Sequence, residues 1–212
     1  MDDAMKEFEI KRIFADPPIL ETPRLFLRKV VKSDYKDMFD YARDPEVSRY
    51  LLWWPHPTEE YTKSYTASLQ KQYRMGEFFD FGICLKGEES LNTRPSLDKR
   101  RFPPARLIGT CGFTSFDFQS KCGEVGYVLH PDFWGRGIAA EAVGEIIRFG
   151  FTKLGLNRIE AKYMPENSRS RRVLEKCGMS YEGTARQSML IKGDYCDIGC
   201  CSIIKSEYDE RK

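Results

Sequence analysis

The chain has 212 residues, of which 41% are hydrophobic and 31% are charged, and its formal net charge at pH 7 is +2. Such a chain buries roughly 70% of its unfolded surface when it folds, so we predict one domain with a continuous core. The small net charge gives no reason to expect binding to nucleic acid, and the apolar runs fall short of the ~20 residues that cross a bilayer. The polar start predicts no secretory signal, and we expect a cytoplasmic protein.

The seven cysteines are not spaced as metal ligands. The sequence contains no C-x-x-C motif, and only two histidines are present to complete a metal site. We therefore predict no metal centre. In a reducing compartment the thiols are expected to stay free and to act mostly as small apolar side chains.

The first half of the chain predicts a polar arm followed by strands and helices. We interpret residues 1–18 as the arm and residues 19–209 as one domain. "ILETPRLFLRKV" alternates like a strand, Ser33 is an N-cap candidate for a helix pair broken near Pro45, and a further helix runs from Thr58 to about Met75. Three strands follow, in "FFDFGICLK", "RLIGTCGFTSFD" and "GEVGYVLH".

A basic, proline-containing insertion separates the first two of these strands, at about residues 87–105. Its most basic part, residues 94–106, is "RPSLDKRRFPPAR". Proline disfavours regular structure, so we predict a solvated surface loop.

The second half alternates helices with strands. Apolar residues recur at helical spacing after Gly137, and "NRIEAKY" then predicts a strand. A short helix follows, capped by Asn167 and stopped at Gly178. "ARQSMLI" and "CDIGCCSII", joined through residues 192–194, predict a final hairpin. This order of elements predicts a mixed sheet with helices on both faces.

The stretch "HPDFWGRGIAAEA", residues 130–142, places Gly135 and Gly137 directly before the longest predicted helix. Free N–H groups and the positive end of the helix dipole meet there, so the loop is a candidate anion site. The spacing also fits a dinucleotide fingerprint ending at Ala140, with Glu160 as its acidic residue. Against that reading, five residues separate the strand from Gly135, and too few residues remain for a doubly wound sheet. A phosphate-binding P-loop is not supported either, because no Gly-Lys-Ser or Gly-Lys-Thr follows the glycines. A turn that simply starts the helix, without any ligand, is the remaining alternative.

Four segments, in this order and spacing, carry a family resemblance: "TPRLFLRKV", "EVGYVLHPDFWGRGIAAEA", "NRIEAKYMPENSRSRRVLEKCGM" and "YEGTAR". Together they resemble the GNAT superfamily of N-acetyltransferases, within it the branch of ribosomal-protein N-terminal acetyltransferases. The resemblance implies the GNAT fold, an α/β (α+β) architecture. Its central sheet is mixed and mostly antiparallel, has about seven strands, is splayed in the middle and carries helices on both faces.

The resemblance implies transfer of an acetyl group from acetyl-CoA to a primary amine, with the N-terminal α-amine of a protein such as a ribosomal protein as the first choice. A small-molecule amine, such as an amino acid, polyamine or antibiotic, is the alternative. A third reading is a non-catalytic acyl-CoA sensor. We expect no nucleic-acid or membrane partner and either a monomer or a homodimer.

The family binds the diphosphate of acetyl-CoA through a pattern of Gln or Arg, two residues, Gly, one residue, and Gly or Ala. Here it falls on Trp134, Gly137 and Ala139, and the departure at Trp134 implies a backbone contact at that position. The implied cofactor-binding residues are Tyr127, Val128, Leu129, Trp134, Gly135, Arg136, Gly137, Ile138, Ala139, Ala140, Asn167, Arg172 and Lys176.

Amine acetylation needs a proton acceptor, stabilisation of the developing oxyanion and a proton donor for the leaving thiolate. The resemblance implies Glu124 as a water-relayed base, unless it is merely a surface glutamate paired with Lys121. The family's tyrosine acid is replaced here by Leu174, so we predict Ser170 as its substitute, beside Asn167. For the acceptor, the resemblance implies a pocket between the first helices and the final hairpin, where Trp53, Trp54 and His56 either bind substrate or anchor their loop.

Overall fold

The computed structural model describes residues 2–91 and 105–211, so nearly all of the insertion predicted at 94–106 lies outside the described residues. Within the described part, the helices are α1 Asp2–Ala15, α2 Tyr35–Ala42, α3 Pro45–Ser48, α4 Glu59–Met75, α5 Ile138–Thr152, α6 Ser168–Lys176 and α7 Lys205–Asp209. The strands are β1 Leu20–Glu21, β2 Leu25–Arg28, β3 Phe79–Leu85, β4 Arg106–Asp117, β5 Cys122–Leu129, β6 Arg158–Tyr163, β7 Ser180–Ile191 and β8 Asp194–Ile204. None of the described helices is both long and apolar enough to cross a bilayer.

The strands form one mixed sheet in the order β1-β2-β3-β4-β5-β6-β8-β7. Every neighbouring pair is antiparallel except β5 and β6. That parallel pair has only three partners, ending at Glu124 opposite Glu160, while the rest of β5 pairs with β4 alone. The sheet is therefore splayed between β5 and β6, which confirms the predicted fold. The described part has eight strands rather than about seven, because a turn at residues 22–24 divides the predicted first strand in two.

Helices cover both faces of the sheet, as predicted. α5, α6 and α1 pack on one face, and α2 and α4 pack on the other, each over its own cluster of apolar side chains. On α5, the predicted stripe is buried, including Ala142, Ile146 and Ile147. The splayed strand β5 lies between the two helix layers, and a ligand at its opening could contact both faces of the sheet.

The segment expected to be a polar arm is instead a helix that packs on the core. Phe14 has no exposed surface, and its ring lies 5.7 Å from the ring of Phe81 and 6.2 Å from that of Phe149. Ile10, four residues earlier, lies on the same helical face and is also buried. The sequence of this helix contains few apolar residues among many charged ones, so its helical periodicity was too weak to predict this packing.

The helix ends follow local capping chemistry. Thr58 accepts the N–H of Tyr61 at 3.1 Å and begins α4 as predicted. The N-cap of α2 is Asp34 rather than Ser33, because residues 32–34 form a short 3-10 turn first. Asn167 accepts the N–H of Ser170 at 3.1 Å and caps α6, which confirms that prediction.

Candidate active site

The glycine loop opens directly onto the start of α5. Gly135 and Gly137 have φ angles of 76° and 74°, in the left-handed region that favours glycine. The first intrahelical bond runs from the N–H of Glu141 to the carbonyl of Gly137 at 3.1 Å, so the N–H groups of residues 138–140 have no acceptor within the helix. A Cβ at Gly135 would meet no atom within 4 Å. The loop thus leaves room for an anion against free N–H donors.

An arginine from the β1–β2 turn braces this loop, and sequence reasoning missed it. The Nε of Arg24 donates to Oε2 of Glu141 at 2.6 Å, and its Nη1 donates to the carbonyl of Arg136 at 2.9 Å. Although partial burial opposes it, hydrogen bonds from Thr22 and Arg24 hold the pKa of the Glu141 carboxyl below its ordinary value. The positive charge of Arg24 offsets a carboxylate that would otherwise repel a diphosphate at the helix start. Its segment, "TPRLFLRKV", signalled only a strand.

Trp134 turns its side chain back onto the end of β5. Its indole Nε1 donates to the carbonyl of Leu129 at 2.7 Å, and the guanidinium of Arg169 lies 4.8 Å from its ring centroid. The indole N–H is therefore already used within the protein. This geometry agrees with the expectation that a ligand at this position would contact the backbone.

The basic side chains of α6 divide into two sets. Arg171 pairs with Glu175 at 2.8 Å, whereas Arg172 and Lys176 are exposed and have no ion pair within the described chain. The Sγ of Cys177 donates to the carbonyl of Ala140 at 3.4 Å and ties the end of α6 to the first turn of α5. A phosphate role for Arg172 and Lys176 stays a prediction.

The carboxylate of Glu124 lies where β5 and β6 separate. Its Oε2 is 2.5 Å from Nζ of Lys162, and its Oε1 accepts the hydroxyl of Thr114 at 3.1 Å. The alternative pairing with Lys121 is wrong, because the parallel register places β6 side chains beside Glu124. The hydrogen bond to Glu124 raises the pKa of the Lys162 ammonium. These two contacts hold the carboxylate at the opening with its side chain 21% exposed.

Ser170 meets Tyr127 on the opposite face of the same opening. The Oη of Tyr127 is 2.8 Å from Oγ of Ser170 and donates to the Ser170 carbonyl at 3.1 Å. Burial raises the pKa of the Tyr127 phenol well above its ordinary value, so the phenol stays protonated at neutral pH. Leu174 is fully buried in the core. The structure therefore brings together two residues that the sequence proposed for separate roles.

The predicted acceptor residues lie between α3 and α4, next to the final hairpin. The Nζ of Lys192, at the hairpin turn, donates to the carbonyl of Ser48 at 2.6 Å and lies 5.1 Å from the ring of Trp54. Trp54 is 66% exposed. Trp53 is half-buried, and its ring lies 5.4 Å from that of the buried His56.

His56 is held by the first turns of α4. Its Nδ1 is 2.8 Å from the hydroxyl of Thr62, and burial lowers its pKa. The other histidine, His130, accepts the N–H of Asp132 on Nδ1 at 3.1 Å. Its Nε2 lies 3.0 Å from Asp40, so His130 caps the turn that follows β5. Trp54 is thus the accessible member of the predicted acceptor set.

A mixed sheet that opens beside one strand, with unpaired N–H donors at the helix start after that strand, is an arrangement suited to a transferase that takes its group from an acyl-CoA. Residues 24–180 match the family model of the acetyltransferase (GNAT) domain, and the chain belongs to this family. It is an N-acetyltransferase, and enzymes of this family use acetyl-CoA.

Relatives and a solved structure agree with this assignment. An uncharacterized N-acetyltransferase, p20 of Bacillus licheniformis, is 34% identical over 189 residues, which cover 89% of this chain and 97% of that protein. The ribosomal protein uS5-alanine N-acetyltransferase of Escherichia coli is 26% identical over 84% of this chain and 86% of its own. A GNAT acetyltransferase structure from Bacillus anthracis superposes with a TM-score of 0.72 at 26% identity, covering 89% and 99% of the two chains.

Proposed function

We propose that the protein acetylates the N-terminal α-amine of another protein by direct transfer, with Glu124 as a water-relayed base. One observation carries the proposal. The Glu124 carboxylate and the Tyr127–Ser170 pair flank the same opening between β5 and β6, from opposite faces of the sheet. A proton acceptor and a proton donor are therefore available on the two sides of one reaction centre.

The residues present fit acetyl-CoA. Among the residues that the structure describes, the loop before α5 offers unpaired N–H groups for a diphosphate, and β5 beyond Glu124 has no strand partner on the side of β6. That free edge can hydrogen-bond an amide-containing arm in the manner of an added strand. When bound, acetyl-CoA supplies an activated acetyl thioester and a thiol leaving group.

The protein's own groups then handle the protons. Glu124 accepts a proton from the incoming ammonium through a water molecule, and Lys162 and Thr114 keep the carboxylate in place. On the other face, Ser170 Oγ donates its proton toward the thiolate, and the Tyr127 hydroxyl, 2.8 Å away, fixes the position of Oγ. An α-amine has a reference pKa near ~8 against ~10.4 for lysine, so its deprotonation costs roughly 3 kcal/mol less. The relative that acts on a ribosomal-protein alanine supports this acceptor class.

A thiol-release assay with an acceptor panel tests the proposal. The panel contains peptides with a free N-terminus, the same peptides with a blocked N-terminus and one lysine, and small amines. We expect turnover with free N-termini and an acetyl group on the α-nitrogen, located by tandem mass spectrometry. Transfer to small amines alone supports the small-molecule alternative, and acetyl-CoA binding without any turnover supports a sensor.

Glu124→Gln tests the base. We expect kcat to fall roughly 100-fold or more, because general-base assistance contributes on that scale. Glu160→Gln is the matched control, since Glu160 pairs with Glu124 in register on the next strand and also lies 3.6 Å from Lys162. Equal rate losses in the two variants would contradict the assignment of Glu124.

A further inference from the structure

The opening between β5 and β6 is bounded at both ends by contacts within the protein. At one end the parallel ladder closes it, and the last pair of that ladder is Glu124 with Glu160. At the other end the turn of the final hairpin contacts α3, where Nζ of Lys192 donates to the carbonyl of Ser48 at 2.6 Å.

The contact of Lys192 with α3 joins the two sides of this opening. Asp44 and Pro45, where α3 begins, line a surface cavity together with His130 and Pro131, which directly follow β5. α3 therefore lies at the end of β5. The hairpin belongs to the other side of the opening, because its strand β8 pairs with β6.

The turn end of the hairpin extends beyond the rest of the sheet. β6 stops at Tyr163, opposite Gly199, so the last five residues of β8 before the turn, 194–198, pair with β7 alone. This extension is about 17 Å long at ~3.4 Å per residue. An isolated two-stranded hairpin is at best marginally stable in water, so the extension needs support from outside its own ladder.

A bulge in β7 lies between the sheet and the turn. Between Ala185 and Met189, β7 has three residues where β8 has one, and Gln187 has a φ of 47°. The Oδ1 of Asp197 accepts the N–H of Gln187 at 2.8 Å and holds the bulge in place. A bulge bends its strand, so the direction of the extension differs from that of the sheet.

The extension is supported at its turn. Ile191 and Ile198 are buried, with 6% and 7% of their surface exposed. The ammonium of Lys192 lies 5.1 Å from the ring of Trp54, in addition to its hydrogen bond with Ser48. Contacts of a lysine ammonium with a tryptophan ring are attractive. Lys192 thus attaches the turn both to α3 and to the segment that follows it.

The segment between α3 and α4 is fixed independently of the hairpin. The N–H of His56 donates to the carbonyl of Ala42 at 2.9 Å, and Nδ1 of His56 is 2.8 Å from the hydroxyl of Thr62. Both partners belong to the helices on either side. The hairpin is therefore the side of this contact whose position depends on Lys192.

We propose that Lys192 is a positioning residue for polypeptide acceptors. Its ammonium holds the hairpin turn against α3, so that the turn and the exposed Trp54 form one surface at the far end of the opening. β5 ends at Leu129, five residues or about 17 Å beyond Glu124, so a small amine at Glu124 does not reach this surface. A polypeptide with its N-terminus at Glu124 is long enough to contact it. This inference rests on the proposed acetyl transfer and names a residue that acts on long acceptors.

Steady-state kinetics of the full chain test the inference with Lys192→Met, which keeps the length of the side chain and removes the donor. The acceptors are a peptide of about ten residues with a free N-terminus and a dipeptide amide with the same first residue. We expect KM for the long peptide to rise roughly 3- to 10-fold, the size of one partly exposed hydrogen bond. The kcat values, KM for the dipeptide amide and Kd for acetyl-CoA should stay unchanged. Lys192→Arg keeps a positively charged donor and should restore KM.

Hydrogen exchange gives a second readout that needs no acceptor. The amides of residues 186–198 should exchange faster in Lys192→Met than in the wild type, because the turn loses its attachment. Lys205→Met is the matched control, since Lys205 directly follows the other end of β8 and its ammonium contacts Asp209. This variant should leave the kinetics and the exchange of the turn unchanged. Thermal melts show whether each variant is folded.

Four results would overturn the inference. An unchanged KM for the long peptide in Lys192→Met, an equal rise for both acceptors, or unchanged exchange of residues 186–198 would do so and leave the proposed function standing. The fourth is a wild type that acetylates no N-terminal amine, and this result removes the proposed function as well.

Discussion

Replacing Gly137 by alanine tests whether the loop before α5 binds the diphosphate of acetyl-CoA. Gly137 has a φ of 74°, and an alanine in this left-handed region costs roughly 1–2 kcal/mol. The new Cβ would meet only Nη2 of Arg24, at 3.7 Å, which is an ordinary contact. The free energy of unfolding should therefore fall by ~1–2 kcal/mol, which lowers Tm by roughly 2–8 °C for a chain of this length.

Gly155→Ala is the matched control at the other end of α5. Gly155 has a φ of 66°, and a Cβ there would meet no atom within 4 Å, so it carries the same backbone cost without touching the loop. Gly137→Ala adds a methyl group beside the free N–H donors. Losing one charge-assisted hydrogen bond costs about 1.5–3 kcal/mol, so we expect the Kd for acetyl-CoA to rise roughly 10- to 100-fold in this variant alone.

Calorimetric titration with acetyl-CoA and thermal melts of both variants provide the measurement. The expected result is a similar loss of Tm in the two variants and a loss of affinity only in Gly137→Ala. An unchanged Kd in Gly137→Ala, together with the expected fall in Tm, would refute the assignment of the diphosphate to this loop.

Three further predictions concern groups around the same site. Tyr127→Phe should lower kcat roughly tenfold at unchanged acetyl-CoA affinity, because Ser170 Oγ loses the hydroxyl that positions it; an unchanged rate in single-turnover assays would contradict this. Arg24→Ala should raise the Kd for acetyl-CoA several-fold at low salt and less at high salt, since the Arg24 side chain is 46% exposed; titrations at two salt concentrations check this, and a salt-independent change would count against a charge effect. Asp80 has a folded-state pKa of about 7, above its ordinary 3.8, so the wild type loses stability as pH rises through this window. Asp80→Asn should therefore gain stability relative to the wild type as the pH rises from about 4 to about 7 in urea titrations, and a pH-independent difference would show that the Asp80 pKa is not raised.

Local pattern was enough to predict most elements. Apolar spacing predicted α5, and short-range capping predicted the starts of α4 at Thr58 and of α6 at Asn167, because those signals lie within a few residues. The glycine loop was also visible, since its two glycines adjoin the helix that they precede. The resemblance of four ordered segments then supplied the family, which the match over residues 24–180 confirmed.

Contacts between distant segments decided which side chains surround the candidate site, which the sequence left open. Lys162, rather than Lys121, holds Glu124 because the parallel register of β5 and β6 places it there. Arg24 reaches the start of α5 across 112 residues of chain, to the carbonyl of Arg136. No spacing rule connects residues so far apart.

Local periodicity and capping thus indicated most helices and strands of this chain, since those depend on neighbours along the chain, and the resemblance of four ordered segments indicated its family. Only the tertiary structure decided that the first helix packs its Phe14 into the core and that the Asp80 side chain lies over Gly112 on the neighbouring strand. Burial and strand register arise when distant segments meet, and they set the surroundings and charge of a side chain. For that reason, Asp80 is a single acidic residue in the sequence and, in the fold, a carboxyl group whose pKa is raised by burial.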